Sequence, residues 1–244
     1  MIRLFSYFGS KIRASGRYPA PRYDIIVEPF AGAAGYSCRY ADHRVILIER
    51  DPIIASVLSY LVRVTPDEIM SLPVDFHGKT INDFDLTREQ RWMIGLWLNN
   101  GAAGPRVTPS KWLRAQYDNI PSNLWGPRCR DRLADTVAKI KHWTVVHASW
   151  RVAYLLKLDG PATWFIDPSY VGQGFYYKYH DVNYAGLARF CRWCPGQVIA
   201  CENEGASWLP FEPLYGMKGT RKDGNSRKVS AECVWLNEEA SNAV

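Results

Sequence analysis

The chain has 244 residues, of which 47% are hydrophobic and 22% charged, a balance typical of a globular protein with a core. No apolar run is long enough to span a bilayer, and the basic N-terminus lacks the apolar core of a signal peptide, so we expect neither a membrane protein nor a secreted one. The formal net charge of +6, from 30 basic and 24 acidic residues, is compatible with a polyanionic partner.

The cysteines and the basic loops refine this picture. Six cysteines are scattered along the chain, at positions 38, 129, 191, 194, 201 and 233. Reduced thiols in a cytoplasmic protein are the expectation for such a chain. The CRWC pair at 191–194 has no second pair at zinc-finger spacing, so we interpret it as a helix end and predict no metal. Basic residues cluster with aromatic residues and glycines in three loops, which favours a nucleic-acid partner: 10–23, 104–117 and 218–228.

The first quarter of the chain predicts the start of a parallel sheet. Apolar runs at 24–30 and 45–49 end in polar or turn segments, as buried strands do. Asp51 then supplies a helix N-cap and Pro52 the first helical position, and the apolar spacing of 53–64 predicts the helix itself.

Residues 55–142 break this alternation. Helical spacing recurs at 87–100 and 130–143, and a loop rich in glycine and proline lies at 101–109. Long loops in compact domains are usually functional or disordered. We therefore predict a mainly helical insertion that carries a long loop.

The alternation of strands and helices resumes after residue 142. Strand-like runs follow at 143–149, 163–167 and 197–203, with a helix-like segment at 182–193 between the last two. Such alternation predicts an α/β fold with a doubly wound, mostly parallel sheet. Residues 211–217 and 229–237 flank a polar connection, which predicts a C-terminal antiparallel hairpin that closes the sheet.

Polar and glycine residues follow the predicted strands, where open α/β sheets bind their ligands. Gly32 and Gly35 allow a tight turn after the first strand, Glu49 ends the second, and Asp167 ends the fourth. An acid in the position of Glu49 is the usual device for gripping both hydroxyls of a ribose. The glycines do not follow the G-x-G-x-x-G pattern of a pyrophosphate loop. S-adenosylmethionine, which has no phosphate, therefore fits better than NAD.

Five segments occur in the order found in the Dam-type DNA adenine N6-methyltransferases: YFGSK, VEPFAGAAG, LIERD, FIDPSY and RKVSAECVWLN. The chain resembles that family over nearly its whole length. WLNNGAAGPRVTPSKW also looks like the family's target-recognition region. The resemblance implies a Rossmann-like class I methyltransferase fold. It implies an S-adenosylmethionine-binding catalytic domain formed by 1–54 and 143–244, and a target-recognition region at 55–142.

The same resemblance implies roles for individual residues. The residues expected at the cofactor are Tyr7, Phe8, Gly9, Lys11, Glu28, Pro29, Phe30, Ala31, Gly32, Gly35, Glu49, Arg50, Ser149, Trp150 and Asp167. Among them, Lys11 is expected near the methionine moiety, Glu49 at the ribose, and Ser149 and Trp150 at the adenine ring. The catalytic tetrad that holds the target base is expected at Asp167, Pro168, Ser169 and Tyr170. Contacts to DNA are expected from Asn100, Arg106, Thr108, Ser110, Lys111, Arg227 and Lys228.

The tetrad suits methyl transfer to an amino nitrogen. Asp167 and the carbonyl of Pro168 can accept hydrogen bonds from that group and stabilise positive charge as it develops there. Tyr170 can stack on a base flipped out of the duplex. The family's usual tetrad has a second proline where this chain has Ser169, so the turn is expected to be looser. Neither a metal nor a covalent enzyme intermediate is required.

Other readings remain open from the sequence. Asp167 at the head of the tetrad favours adenine over cytosine N4 as the acceptor, and a basic surface serves RNA as well as DNA. A DNA-binding relative with weak or no turnover is a further alternative, with Ser169 as its sign. The resemblance implies double-stranded DNA as the partner, in a bacterial cell or a phage-infected host cell. It leaves open a cognate restriction endonuclease, and either a monomer or a weak dimer. The recognition sequence does not follow.

Overall fold

The computed structural model of the protein describes residues 2–99, 101, 103–172, 177–214 and 232–237. Its strands are β1 (Ile25–Glu28), β2 (Arg44–Glu49), β3 (Thr144–His147), β4 (Ala162–Ile166), β5 (Gly196–Asn203), β6 (Glu212–Pro213) and β7 (Glu232–Leu236). Its α-helices are α1 (Pro52–Arg63), α2 (Pro66–Met70), α3 (Arg88–Trp97), α4 (Lys111–Arg114), α5 (Pro127–Lys139) and α6 (Tyr184–Trp193). Short 3₁₀ helices lie at Lys11–Arg13, Ser15–Arg17, Ser37–Arg39, Ile81–Asp83, Tyr117–Asn119 and Trp150–Leu155.

The described strands form one sheet of seven, in the order β3-β2-β1-β4-β5-β7-β6. The first five are parallel, and β7 runs antiparallel to both of its neighbours, β5 and β6. The prediction of a mixed α/β fold with a mostly parallel sheet is confirmed. Every residue of β1 and β4 is buried, as expected for parallel strands covered on both faces. The strand order reverses between β1 and β4, where the carboxyl ends of neighbouring strands leave a crevice.

Helix α1 begins where the sequence predicts. The side chain of Asp51 accepts a hydrogen bond from the Ile53 amide at 2.8 Å, and Pro52 occupies the first turn. The helix packs against β2 and β3, as a crossover helix between parallel strands does. The predicted start of the insertion, residue 55, therefore falls inside a helix that belongs to the sheet.

Two apolar clusters lie on the two faces of the sheet. The larger one contains residues of the N-terminal segment, of one face of the sheet and of helices α1, α3 and α5. The smaller one contains Trp150, Leu187 and Phe190, between the sheet and α6. Because the larger cluster is continuous, the helical region shares its core with the sheet, which fixes its position relative to the strand ends.

The described residues include all six cysteines. All six cysteines are buried free thiols, and Cys191 and Cys194 lie at the end of α6 as expected for a helix end. In the described ranges, no group of three or more His, Cys, Asp or Glu side chains could hold a metal ion. Nor does any helix there have the length and apolar character needed to cross a membrane.

Candidate functional site

A cleft lies beyond the carboxyl ends of β1, β2 and β4. Its volume is about 900 Å³ when the open solvent at its mouth is included. The cleft brings together all of the residues predicted at the cofactor except Ser149. It also includes three members of the predicted tetrad: Asp167, Pro168 and Ser169. Ser149 directly precedes the 3₁₀ helix that begins at Trp150 and uses its carbonyl to accept the Val152 amide.

The loop after β1 depends on glycine at two positions. Gly32 has φ +47°, a left-handed conformation that glycine adopts without strain. Gly35 lies against the backbone of the N-terminal segment. A Cβ there would be 2.8 Å from the Ile12 nitrogen and 2.9 Å from the Lys11 nitrogen. This close approach brings Lys11 to the strand ends.

Glu49 ties two loops together at the end of β2. Its carboxylate accepts hydrogen bonds from the Gly32 and Asp51 amides, each at 2.8 Å. Burial raises the pKa of Glu49, and these backbone hydrogen bonds oppose the rise. Each carboxylate oxygen has a second lone pair, so Glu49 can still accept from hydroxyl groups of a ligand.

Glu28, at the end of β1, is a buried acid in the same cleft. One oxygen accepts a hydrogen bond from the Ser37 amide at 2.7 Å. Burial raises the pKa of Glu28 to about 8. Near neutral pH this carboxyl is therefore largely protonated, and it offers the cleft a donor as well as an acceptor.

Aromatic rings form two walls of the cleft. The rings of Phe30 and Trp150 have centroids 6.3 Å apart and an interplanar angle of 29°. In the same cleft, Tyr177 contacts the ring of Tyr7, and its hydroxyl donates to the Phe8 carbonyl at 3.2 Å. Flat apolar walls of this kind suit a planar heterocycle.

The segment 177–182 borders the cleft and was missed by sequence reasoning. Arg50 binds Asp181 through two hydrogen bonds, at 2.6 and 3.3 Å, and lies 5.1 Å from the centroid of the Tyr179 ring. These contacts attach the segment to the end of β2. The aromatic residues of YKYHDV are visible in the sequence, but nothing in their local pattern relates them to a strand 130 residues earlier.

Asp167 lies directly after β4, with 19% of its side chain exposed to the cleft. The Lys11 ammonium is 2.9 Å from its Oδ1 atom. Burial raises the pKa of Asp167 to about 6, although Lys11 lowers it. Lys11 thus binds the predicted catalytic acid, while its expected contact with the methionine moiety stays a prediction.

The turn after Asp167 is held by hydrogen bonds in place of a second proline. The Tyr184 hydroxyl donates to the Ser169 carbonyl at 2.6 Å, and the Val171 amide donates to the buried carboxylate of Glu202 at 3.2 Å. We expected serine to leave this turn looser. These contacts to α6 and β5 supply restraint that the sequence pattern does not reveal.

Tyr170 is the tetrad member that does not line the cleft. Its hydroxyl donates to Glu232 on β7, and the Lys11 ammonium lies 4.6 Å from the centroid of its ring. The ring packs against the larger apolar cluster. Stacking on a target base stays a prediction for this side chain.

Four of the predicted DNA contacts lie on or beside a loop of the helical region. Arg106, Thr108 and Lys111 are exposed, whereas Ser110 caps α4 by accepting the Leu113 amide at 3.1 Å. The loop backbone is anchored to α3, for example by the Arg106 amide, which donates to the Gly95 carbonyl at 3.0 Å. The other three predicted contacts fall outside the described residues: Asn100, Arg227 and Lys228.

No protein-family model and no curated protein matches this chain. A functional assignment therefore depends on the cleft itself. Its chemistry consists of one acid at each of three neighbouring strand ends, two aromatic walls, and a glycine loop that brings the N-terminal segment within contact distance.

Proposed function

We propose that the protein is an S-adenosylmethionine-dependent DNA methyltransferase of the Dam type, acting on the N6 amino group of adenine. The observation that carries the proposal is the convergence of Asp167 and Pro168 with Glu49 and the glycine loop in one cleft. The strand order supports the finer fold assignment, a class I methyltransferase sheet. In this order the antiparallel β7 lies between β5 and β6, which are parallel to each other.

The cleft suits a nucleoside cofactor without phosphates. In a dinucleotide-binding loop the glycine amides face the pyrophosphate. Here the Gly32 amide donates to Glu49 instead. A further acid, Asp167, lines the same walls and would disfavour a phosphate when ionised. S-adenosylmethionine carries a cationic sulfonium and an α-amino group, which match the carboxylates of Glu49 and Asp167.

The residues present would hold this cofactor by its separate parts. Glu49 would accept hydrogen bonds from the ribose hydroxyls, and the faces of Phe30 and Trp150 would contact the adenine ring. Whether it is protonated or ionised, the Glu28 carboxyl keeps a lone pair that can accept a hydrogen bond from the polar end of the ligand. When bound, the cofactor supplies an activated methyl group, so the protein's main task is positioning.

Asp167 and Pro168 would orient the acceptor amino group. The carboxylate and the adjoining backbone carbonyl each accept one of its hydrogens, which stabilises positive charge on the nitrogen. Lys11 fixes the orientation of the carboxylate through its 2.9 Å contact. Because the pKa of Asp167 is about 6, the carboxylate form predominates above that pH, and we expect methyl transfer to increase as pH rises through this value.

The exposed loop of the helical region would contact the polymer. Arg106 suits bidentate recognition of guanine, and Lys111 suits a phosphate. The anchored backbone of this loop supports the assignment, because exposed cations on a fixed backbone are positioned for contact at little entropic cost.

The test is transfer of tritiated methyl groups from S-adenosylmethionine to unmethylated polymers. We expect incorporation into double-stranded DNA by the wild type, and a background signal for Asp167→Ala. Incorporation into RNA alone would reassign the substrate. Incorporation by both proteins alike would remove Asp167 from the mechanism. No incorporation by a folded wild type that binds the cofactor would favour a DNA-binding relative without turnover.

A further inference from the structure

A buried polar cluster adjoins Asp167, and its central acid does not line the cleft. Its centre is Glu232, the first residue of β7, whose side chain is only 5% exposed. The Tyr18 hydroxyl donates to Glu232 Oε1 at 2.7 Å, and the Tyr170 hydroxyl donates to the same oxygen. Glu232 thereby joins the N-terminal segment, the turn after β4 and the antiparallel strand.

The cluster places one ammonium between two carboxylates. Lys11 Nζ is 2.9 Å from Asp167 Oδ1 and 3.7 Å from Glu232 Oε1. An ammonium paired with Asp167 alone would form a neutral pair. The positive charge of the ammonium would then weaken the Asp167 carboxylate as a hydrogen-bond acceptor. A second carboxylate leaves the ionised cluster with an excess negative charge. Burying such a charge is costly unless something compensates it.

We propose that Glu232 is a positioning residue that shares the Lys11 ammonium with Asp167 and so preserves Asp167 as a strong acceptor for the substrate amino group. This inference rests on the proposed function, in which that amino group becomes positively charged. The excess negative charge then has a partner during the reaction. In the resting protein, the two tyrosine hydroxyls stabilise Glu232 through hydrogen bonds, which a carboxylate accepts more strongly than a neutral group does.

The electrostatic surroundings agree with this arrangement. Burial is the largest influence on the pKa of Asp167 and raises it; the Lys11 ammonium lowers it, and the negative charge of Glu232 raises it. Among the described residues, the titratable groups that interact electrostatically with this pair of acids are Lys11, Tyr18, Glu28, Tyr170, Tyr177, Cys201, Glu202 and Cys233. Lys11 is the one cation in that set, so the position of its ammonium between the two acids dominates the electrostatics there.

Two substitutions separate the charge of Glu232 from its hydrogen bonds. Glu232→Gln removes the charge but leaves an oxygen that can accept from both tyrosines. Tyr18→Phe removes one of these hydrogen bonds and leaves the charge. If Glu232 acted only through its hydrogen bonds, Tyr18→Phe would shift the titration of Asp167. If it acts through its charge, Glu232→Gln shifts that titration and Tyr18→Phe does not.

The readout is the titration of Asp167 in the free protein, followed by carboxyl ¹³C NMR and assigned by the signal lost in Asp167→Asn. We expect the Asp167 midpoint to move to lower pH in Glu232→Gln and to stay in place in Tyr18→Phe. An unmoved or raised midpoint in Glu232→Gln overturns the proposal, as does an equal shift in Tyr18→Phe. If Glu232→Gln does not fold, Glu232→Asp decides. It keeps the negative charge but draws it away from the Lys11 ammonium, so the Asp167 midpoint should fall, and an unchanged or raised midpoint would contradict a shared ammonium.

Turnover provides the second readout. In single-turnover reactions with saturating cofactor, Glu232→Gln should slow methyl transfer about tenfold, equivalent to about 1.4 kcal/mol in the barrier. The titration requires neither cofactor nor polymer, so it remains decisive even for a protein that transfers no methyl group. An active wild type combined with an unmoved midpoint in Glu232→Gln would refute the role of Glu232 and leave the proposed function intact.

Discussion

The cleft at the strand ends and the loop at 103–111 differ in the exposure of their charged side chains. In the cleft, the acids are buried or half-buried, and all are bound: Glu28 and Glu49 accept backbone amides, and Asp167 binds Lys11. In the loop, the backbone is anchored and the side chains of Arg106 and Lys111 are exposed. Buried groups have perturbed pKa values and fixed geometry, which suit chemistry. Exposed cations suit contact with a charged polymer.

This contrast predicts that changes in the cleft affect catalysis, cofactor affinity or stability, whereas changes in the loop affect only the polymer. The largest effect is expected for Asp167→Ala. It should slow methyl transfer by about 10³-fold, because the main acceptor for the developing charge is lost. Cofactor affinity, measured by calorimetry, should remain near that of the wild type. Near-normal turnover would show that the chemistry lies elsewhere.

The second prediction concerns stability and the buried acid Glu28. Its pKa is about 8 in the folded protein, against an ordinary 4.5. Between these values the folded state holds a proton that the unfolded chain has lost, so the free energy of unfolding should fall as pH rises from about 4.5 to 8. Glu28→Gln mimics the protonated acid and should remove about 2–4 kcal/mol of this fall.

Urea unfolding at pH 5 and pH 8 would measure that effect. Glu204→Gln, at an exposed glutamate, is the matched control and should keep the wild-type dependence on pH. If Glu28→Gln kept the same dependence as the control, Glu28 would be ionised in the folded protein, and the description of the cleft as strongly desolvating would be wrong.

A smaller effect is expected at Glu49. Replacement by alanine removes the acceptor proposed for the ribose hydroxyls and should weaken S-adenosylmethionine binding by roughly 1–3 kcal/mol. It also releases the Gly32 and Asp51 amides, so a thermal melt of the free protein should accompany the calorimetry. Unchanged affinity in a folded variant would move the ribose site elsewhere, with Asp51 as the next candidate.

The smallest effects belong to the loop. Arg106→Ala should relax sequence preference, costing about 1–3 kcal/mol on the preferred duplex alone. Lys111→Ala should weaken binding to every duplex and reduce the salt dependence by about one phosphate contact. Lys139→Ala, at an exposed lysine at the end of α5, controls for net charge. Competition binding on matched and scrambled duplexes across a salt series distinguishes these outcomes. Equal losses on all duplexes for Arg106→Ala would make it a phosphate contact.

The sequence predicts the cleft better than it predicts the contacts within it. Parallel strands place their carboxyl ends at one edge, so the acids Glu49 and Asp167 could be assigned to one site from local pattern alone, whereas Glu28 was implied by the family resemblance. The cap at Asp51 is also a local signal, and the structure confirms it. Both kinds of inference need only neighbouring residues and a general rule of topology.

The missed features depend on side chains that meet across the fold. Glu232 is 62 residues from Tyr170 and 214 from Tyr18, and the segment 177–182 is bound by Arg50. Local periodicity carries no information about such pairs. Ser110 has a further role that local pattern does reveal, because serine before a short helix is a normal N-cap. Its predicted contact with DNA stays a prediction.

The most direct test of the central claim is to identify the modified atom. Unmethylated duplex DNA would be incubated with the protein and S-adenosylmethionine that carries a deuterated methyl group, digested to nucleosides, and analysed by mass spectrometry. We expect N6-methyl-2′-deoxyadenosine with the deuterated methyl group for the wild type, and about 10³-fold less of it for Asp167→Ala in the same time. A deuterated methyl group on cytosine instead, or equal adenine labelling by both proteins, would contradict it.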